Sequence, residues 1–95
     1  MDPVATEARL ELDRIRRRVV ELPLAAAQAG MPAAHRTLAA LAALGTPGGA
    51  TAPTVPDLGP AVVPDQLTVL AWDAYAAGRG DGIPALLADL RRALG

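Results

Sequence analysis

Five residue types are missing from the sequence: its 95 residues include no cysteine, serine, lysine, asparagine or phenylalanine. The absence of cysteine excludes disulfides and thiolate ligands for zinc. The absence of serine and lysine excludes serine-hydroxyl and Schiff-base nucleophiles. One histidine, one tyrosine, six threonines and the carboxylates remain for polar chemistry. No particular activity follows from this inventory.

The charges nearly cancel, which argues against partners that carry a strong charge of one sign. Nine arginines are set against ten acidic residues, so the net charge is −1 and no global field favours nucleic acid or an anionic membrane. The first residues are acidic and lack the order of a signal peptide. Polar residues and proline interrupt residues 24–44, so we predict no membrane span. We expect a cytoplasmic protein. The missing lysine, asparagine and phenylalanine have A/T-rich codons and suggest a GC-rich bacterial genome.

Large apolar side chains are scarce relative to alanine. The chain has 22 alanines and 14 leucines, and only 2% of its residues are aromatic. A domain of this length buries a modest fraction of its surface, and alanine adds little to that burial. We therefore expect an oligomer or a partner to supply part of the stability.

Proline and glycine concentrate in residues 45–64, which contain five prolines and four glycines. This composition excludes a helix and a central strand. We interpret residues 45–63 as a linker, a surface connector between two helical hairpins. The alternative interpretation is a proline-rich ligand for another domain, for which flanking basic residues are missing.

Helix start and stop signals lie on both sides of the linker, and no window has the alternation of a strand. They predict four helices: from Asp2-Pro3 to about Leu22, from Pro32 to Leu44, from Pro64-Asp65 to Gly78, and from about Pro84 to about Leu94. The predicted fold is all-α, a small bundle of about four helices. Residues 1–44 would form one hairpin and residues 64–95 the other, together one domain.

The first predicted helix has the most regular apolar pattern. Its apolar residues follow the 3-4-3-4-3 spacing of a coiled-coil seam: Ala5, Ala8, Leu12, Ile15, Val19 and Leu22. Such a seam either packs inside the bundle or associates with a second chain, and both interpretations stay open. On this register Glu11 is a g position and Arg16 the following e, so a parallel partner could pair them.

The third predicted helix is apolar on two sides, which is typical of a helix buried on more than one side. One face carries Leu67, Leu70, Ala71 and Ala74. The other carries Val69, Trp72, Tyr75 and Ala76. Because Trp and Tyr are enriched in binding hot spots, the second face is a candidate contact surface, although it could also complete a small core.

The arginines of the first helix alternate with acids, so we interpret them as a solvated charged face and not as a nucleic-acid site. Arg9, Asp13, Arg17 and Glu21 are spaced to form an i,i+4 ladder, and Glu11 can pair with Arg14. The tripeptide Arg79-Gly80-Asp81 matches an integrin-recognition sequence, but we interpret it as a turn between helices.

His35 is the only side chain that could serve as a general base near neutral pH. No second histidine, no cysteine and no carboxylate at i+4 accompanies it. The sequence therefore predicts no metal site and no cofactor.

Together these observations predict a non-enzymatic protein–protein interaction module, acting as a homodimer or as an accessory subunit of a larger assembly. The predicted contact residues are Leu12, Ile15, Val19, Leu22, Val69, Trp72 and Tyr75. The alternative is a small subunit of an enzyme whose site is shared between chains. The chain would contribute His35, Asp73 or Tyr75 to that site.

Overall fold

The computed structural model describes residues 2–48 and 50–95, and this part of the chain contains helices and no strand. It has five α-helices and one short 3₁₀ turn at Pro60–Val62. The helices are α1 Thr6–Glu21, α2 Leu24–Ala29, α3 Met31–Leu44, α4 Val63–Ala76 and α5 Ile83–Leu94. The prediction of an all-α chain is confirmed, with one more helix than expected.

Two helix boundaries differ from the prediction at the start of the chain. Helix α1 begins at Thr6, because Asp2 Oδ1 accepts a hydrogen bond from the backbone N–H of Val4 at 2.9 Å and closes a turn before the helix. Helix α2 was not predicted. Pro23 ends α1 and also precedes α2, whose residues are strong helix formers of the alanine, leucine and glutamine types.

The helices pack mainly against partners that are distant in sequence. Helix α1 packs on α5 and α3 packs on α4, with further contacts of α1 with α4 and of α3 with α5. The predicted hairpins are therefore not the main packing units: α4 and α5 are joined by a short turn but are not a closely packed pair. A short turn dictates a reversal of direction, whereas side-chain packing selects the neighbour.

Helices α3 and α4 run in the same direction. Met31 and Ala34 share a cleft with Val63 at their beginnings, while Gly45 lies beside Asp73 near their ends. The connection between them must therefore return along the length of α3, whose 14 residues span about 21 Å. The return path explains the length of the linker.

One hydrophobic core draws on α1, α3, α4 and α5. Its largest fully buried side chains are Ile15, Leu38, Leu41, Leu67, Ile83 and Leu87. Ala8, Ala71 and Ala74 are also fully buried, and their small side chains permit close approach of the helices. These three alanines therefore contribute to the core as small residues at helix contacts.

The apolar seam of α1 packs within the chain. Ala8, Leu12 and Ile15 belong to the core, and Val19 is partly buried against it. Leu22 is partly buried and Ala5 is exposed. For Leu12 and Ile15 the expectation of contact with a partner is therefore corrected, because this fold leaves them little or no surface.

Glu11 joins the first helix to the last through Arg91, and it also pairs with Arg14 on its own helix. Its Oε2 accepts a hydrogen bond from Arg91 Nε at 2.6 Å, and its Oε1 accepts one from Arg14 Nη1 at 2.8 Å. Only 11% of the Glu11 side chain is exposed. The hydrogen bonds from Arg91, followed by those from Arg14, lower the pKa of the Glu11 carboxyl against the opposing effect of burial. The predicted pairing of Glu11 with Arg14 is confirmed.

We expect Ile15→Ala to lower the free energy of unfolding by about 2–5 kcal/mol, because it leaves a cavity in the core. The matched control is Val20→Ala on the same helix, where 81% of the side chain is exposed. That change should stay within about 0.5 kcal/mol. Urea denaturation followed by circular dichroism measures both, and equal losses would contradict the packing of α1.

We expect the Glu11 carboxylate to make the free energy of unfolding depend on pH, with a loss of stability in acid. Because its pKa is lowered from 4.5 in the folded chain, its contribution is complete above that pH and is lost as the pH falls through the folded value. Glu11→Gln should cost about 1–2 kcal/mol at neutral pH and flatten the acid dependence of the unfolding free energy. Glu7→Gln, an exposed change on the same helix, is the control and should leave that dependence in place.

Candidate functional site

Helix α4 separates its residues into a buried and an exposed face. Leu67, Ala71 and Ala74 are fully buried at helical spacing. The opposite face carries a 4-3-4 row of exposed residues, which we call the outer stripe: Asp65, Val69, Trp72 and Ala76. Pro64 near the helix start and Asp65 in the first turn both favour a helix that begins here.

Among the described residues, Trp72 of the outer stripe is the only exposed aromatic side chain. Trp72 is 47% exposed and Val69, three residues earlier on the same face, is 59% exposed. Isolated apolar residues are common on protein surfaces, whereas an exposed tryptophan beside another large apolar side chain is a feature of binding surfaces.

An apolar groove of about 410 Å³ runs beside the outer stripe, between α4 and the linker. We call it the α4 groove. Its lining residues are Pro53, Thr54, Val55, Pro56, Asp65, Gln66, Val69 and Leu70. Val69 thus belongs to both the stripe and the groove, while Trp72 lies one turn beyond the lining.

Three contacts hold the linker against the bundle and form the outer wall of the groove. Gln66 Nε2 donates a hydrogen bond to the carbonyl oxygen of Pro56 at 3.0 Å. Val55 packs partly buried against the core. Asp57 Oδ2 lies 3.6 Å from His35 Nε2, and Asp57 Oδ1 accepts a hydrogen bond from the backbone N–H of Gly59. These described residues of the linker pack on their own domain.

At the open rim of the groove the charges form one cross-helix pair. Arg16 Nη2 donates to Asp65 Oδ1 at 2.8 Å, which joins α1 to the start of α4. The sequence placed Arg16 in a heptad position for a partner helix, but the fold uses it within the chain. With 71% of its side chain exposed, Asp65 keeps a second carboxylate oxygen toward solvent.

The ion pairs of α1 differ from the predicted ladder. Arg9 pairs with Asp2 at 3.1 Å and Arg18 with Glu21 at 3.8 Å. The predicted ladder paired residues that are four positions apart on α1. In the structure the carboxylates come from Glu21, three positions from Arg18, and from Asp2, which precedes the helix. These pairs are mostly exposed, so each contributes little to stability.

The predicted enzymatic residues do not converge within one chain. His35 faces Asp57 near the start of α3. Asp73 lies beside Gly45, ten residues or about 15 Å further along α3. Tyr75 instead lines a cleft with Ala5, Glu7, Gly80 and Asp81. Among the described residues, no group of three or more histidines and carboxylates could hold a metal ion.

Tyr75 lies over the turn between α4 and α5 and is partly buried there. Burial, with smaller effects from the carboxylates of Glu7 and Asp81, raises the pKa of its phenol. Its ring packs directly on Gly80. Arg79 Nη1 donates to the carbonyl oxygen of Thr46 at 3.2 Å, so the Arg79-Gly80-Asp81 turn has contacts of its own within the fold.

The sequence pattern placed Val69 and Trp72 on a second apolar face of the helix but did not indicate the groove beside Val69. Pro53, Val55 and Pro56 carried no signal of a contact with α4, because a proline-rich segment has no periodicity that marks a buried face. Asp57 was likewise missed as the neighbour of His35, since the two are separated by 22 residues.

We expect Gly80→Ala to destabilise the fold by about 1–3 kcal/mol, because a Cβ at this position would overlap the ring of Tyr75. Gly48→Ala is the matched control, since the nearest atom to its added Cβ is Arg79 Nη2 at 3.9 Å. Thermal unfolding measures both variants, and near-ultraviolet circular dichroism reports the ring. Equal stability of the two would contradict the Tyr75–Gly80 contact.

Comparison with protein-family models, curated proteins and solved structures found no match for this chain. No helix among the described residues is long and apolar enough to cross a membrane. The surface that α4 and the linker form is therefore the feature of the chain that points to a function.

Proposed function

We propose that the protein is a non-enzymatic interaction module that binds another protein chain through the outer stripe and the α4 groove. The observation that carries this proposal is the half-exposed Trp72 one turn from the exposed Val69, which itself lines an apolar groove. The partner is either a second copy of the chain or a subunit of a larger assembly.

The physical support is the free energy of removing this surface from water. Burial of apolar area contributes about 25 cal/mol per Å², and hot spots are enriched in tryptophan seated in a pocket. The groove supplies apolar walls, and Asp65 supplies a charged rim at which a partner can be oriented. A groove that is lined by a helix and a packed linker is also largely preformed, which limits the ordering cost of binding.

A second apolar surface lies at the elbow between α1 and α2 and supports binding less well. Val20 and Leu24 are exposed there, beside a smaller cleft of about 310 Å³ that also involves Arg16. This surface has no aromatic side chain, and the guanidinium-bearing Arg16 lines its cleft. It provides the matched control position for tests of α4.

The separation of His35, Asp73 and Tyr75 means that a catalytic site using any of them would need groups from a second chain. Each of the three has its own neighbours: His35 faces Asp57, whereas Asp73 lies beside Gly45, about 15 Å further along the axis of α3. An acid–base site needs groups within hydrogen-bond reach of one substrate. A contact surface needs only the stripe and the groove.

The test is site-specific photocrosslinking in cells that make the protein naturally. A benzophenone amino acid placed at position 69 should give a defined adduct with one protein chain, identified by mass spectrometry. The same group at position 20, on an exposed valine of α1, should give none above background. Equal labelling at both positions, or no adduct at position 69, would overturn the proposal.

A further inference from the structure

We propose that His35 and Asp57 form a pH-dependent latch, which holds the linker on the bundle and so controls the outer wall of the α4 groove. When His35 is protonated, its imidazolium attracts the Asp57 carboxylate and the linker stays docked. As the pH rises and His35 loses its charge, the linker is held less tightly. The latch is a property of the isolated chain, whereas its effect on binding rests on the proposed function.

The two side chains of the latch face each other between α3 and the linker. Asp57 Oδ2 lies 3.6 Å from His35 Nε2, which is too long for a hydrogen bond but close enough for attraction between opposite charges. His35 Nε2 is buried and has no hydrogen-bond partner among the described residues. A neutral imidazole therefore gains little from this contact, while a charged one gains an ion pair.

The linker itself directs the Asp57 carboxylate. Asp57 Oδ1 accepts a hydrogen bond from the backbone N–H of Gly59 at 3.0 Å, and Oδ2 is the oxygen that lies beside His35. Gly59 has a φ of 90°, a left-handed value that glycine adopts without strain. This turn holds one carboxylate oxygen and leaves the other for the histidine.

The same segment of the linker forms the wall of the α4 groove. Asp57 directly follows residues 53–56, which line the groove. Two other contacts hold these residues: Gln66 Nε2 donates to the carbonyl oxygen of Pro56, and Val55 packs against the core. Neither contact involves a group that titrates near neutral pH. The latch therefore shifts the balance between a docked and a loosened wall and does not release the linker completely.

On α3 and α5 the charged groups nearest to His35 in sequence have other neighbours. Among the described residues, Asp57 is the only acid with which His35 forms a charge contact. Arg36, the next residue of α3, lines a cleft against α5 together with Asp89. Helix α2, which precedes α3, contains no charged residue.

Helix α4 also packs on α3, and the described contacts of its two carboxylates lie elsewhere. Asp65 accepts a hydrogen bond from Arg16 of α1 at 2.8 Å. Asp73 lies beside Gly45, about 15 Å further along the axis of α3 than His35. The histidine therefore decides the pH range of the latch. Histidine changes charge between about pH 5 and 8, whereas carboxyl groups ordinarily titrate at lower pH.

The exposure of the pair determines how strong the effect is. The side chain of His35 is 30% exposed and that of Asp57 is 68% exposed, so solvent reaches both partners and screens their attraction. We expect protonation of His35 to raise the equilibrium constant for linker docking about two- to fivefold. The groove is then more completely formed in mild acid than in mild alkali.

The experiment measures how fast a single cysteine in the linker, introduced by Val55→Cys, reacts with a pyridyl disulfide between about pH 5.5 and 8.5. The chain has no cysteine of its own, so the label reports this position alone. Because Val55 is partly buried against the core, a docked linker slows the reaction. Each rate is compared with that of the same cysteine variant carrying His35→Gln, which cancels the dependence of thiol reactivity on pH.

Near pH 5.5 we expect the cysteine at position 55 to react about two- to fivefold more slowly in the chain that keeps His35 than in the His35→Gln chain. The two rates should converge near pH 8.5. Asp57→Asn should remove the difference, and adding His35→Gln to it should have no further effect, because the two side chains act as one pair.

Two controls separate the latch from a general change in the fold. Asp89→Asn replaces an acid of α5 whose side chain is as exposed as that of Asp57, and it should leave the effect of His35→Gln in place. A cysteine introduced by Val20→Cys, at an exposed position of α1, should react at the same rate with and without His35 at every pH. Circular dichroism confirms that each variant is folded. If His35→Gln does not fold, the comparison with Asp57→Asn carries the test.

The outcomes separate this inference from the proposed function. Equal labelling with and without His35 near pH 5.5 overturns the latch, and so does a difference that Asp57→Asn leaves in place. These measurements involve no partner, so they do not depend on whether the groove binds another chain. A working latch together with no adduct at position 69 in cells would overturn the proposed function alone.

Discussion

Two neighbouring helices that run in the same direction cannot be joined by a tight turn, and much of this structure follows from that constraint. Helices α3 and α4 are such a pair, so the chain must return along the bundle before α4 begins. The proline-rich linker is that return path. Because it runs over the surface and is tied to α4 through Gln66, it forms the second wall of the groove. The candidate site is thus a consequence of how the helices are connected.

Closure of the bundle depends on contacts between opposite ends of the chain. Glu11 and Arg91 are 80 residues apart in sequence, and their hydrogen bonds join the first helix to the last. The same packing buries Ile15 and Leu87 in one core. A fold held by such distant contacts gains little until most of the chain is in place, which favours cooperative folding. The same packing holds α4 on the bundle, as the proposed contact surface requires.

Alanine has a different role from the one its abundance suggests. At Ala8, Ala71 and Ala74 the small side chain lies fully buried between helices and brings them close together. The large apolar residues that remain outside the core are then the candidates for contact with another chain. Val69 and Trp72 lie on the face of α4 that the chain itself does not cover, and this separation underlies the proposal of a contact surface.

The sequence by itself determined the helices, their approximate ends and the residues that each helix can present on one face. These properties are local: proline and glycine stop helices, and spacing of three and four residues selects a face. It also pointed to Val69 and Trp72. A helix that is apolar on two sides can bury one side in its own core, and its second side is then either exposed or buried elsewhere. The short helix α2 escaped prediction because Pro23, which ends one helix, begins the next equally well.

Only the tertiary structure decided which faces meet. The seam of α1 could have packed on a second chain, but Ile15 and Leu12 are in the core because α5 supplies a complementary surface. The linker could have been extended, but Val55 and Gln66 hold it on the bundle. The proximity of His35 to Asp57 and the groove beside Val69 arise from the same packing. None of these follows from local pattern, because each depends on the free energy of contacts between residues far apart in the chain.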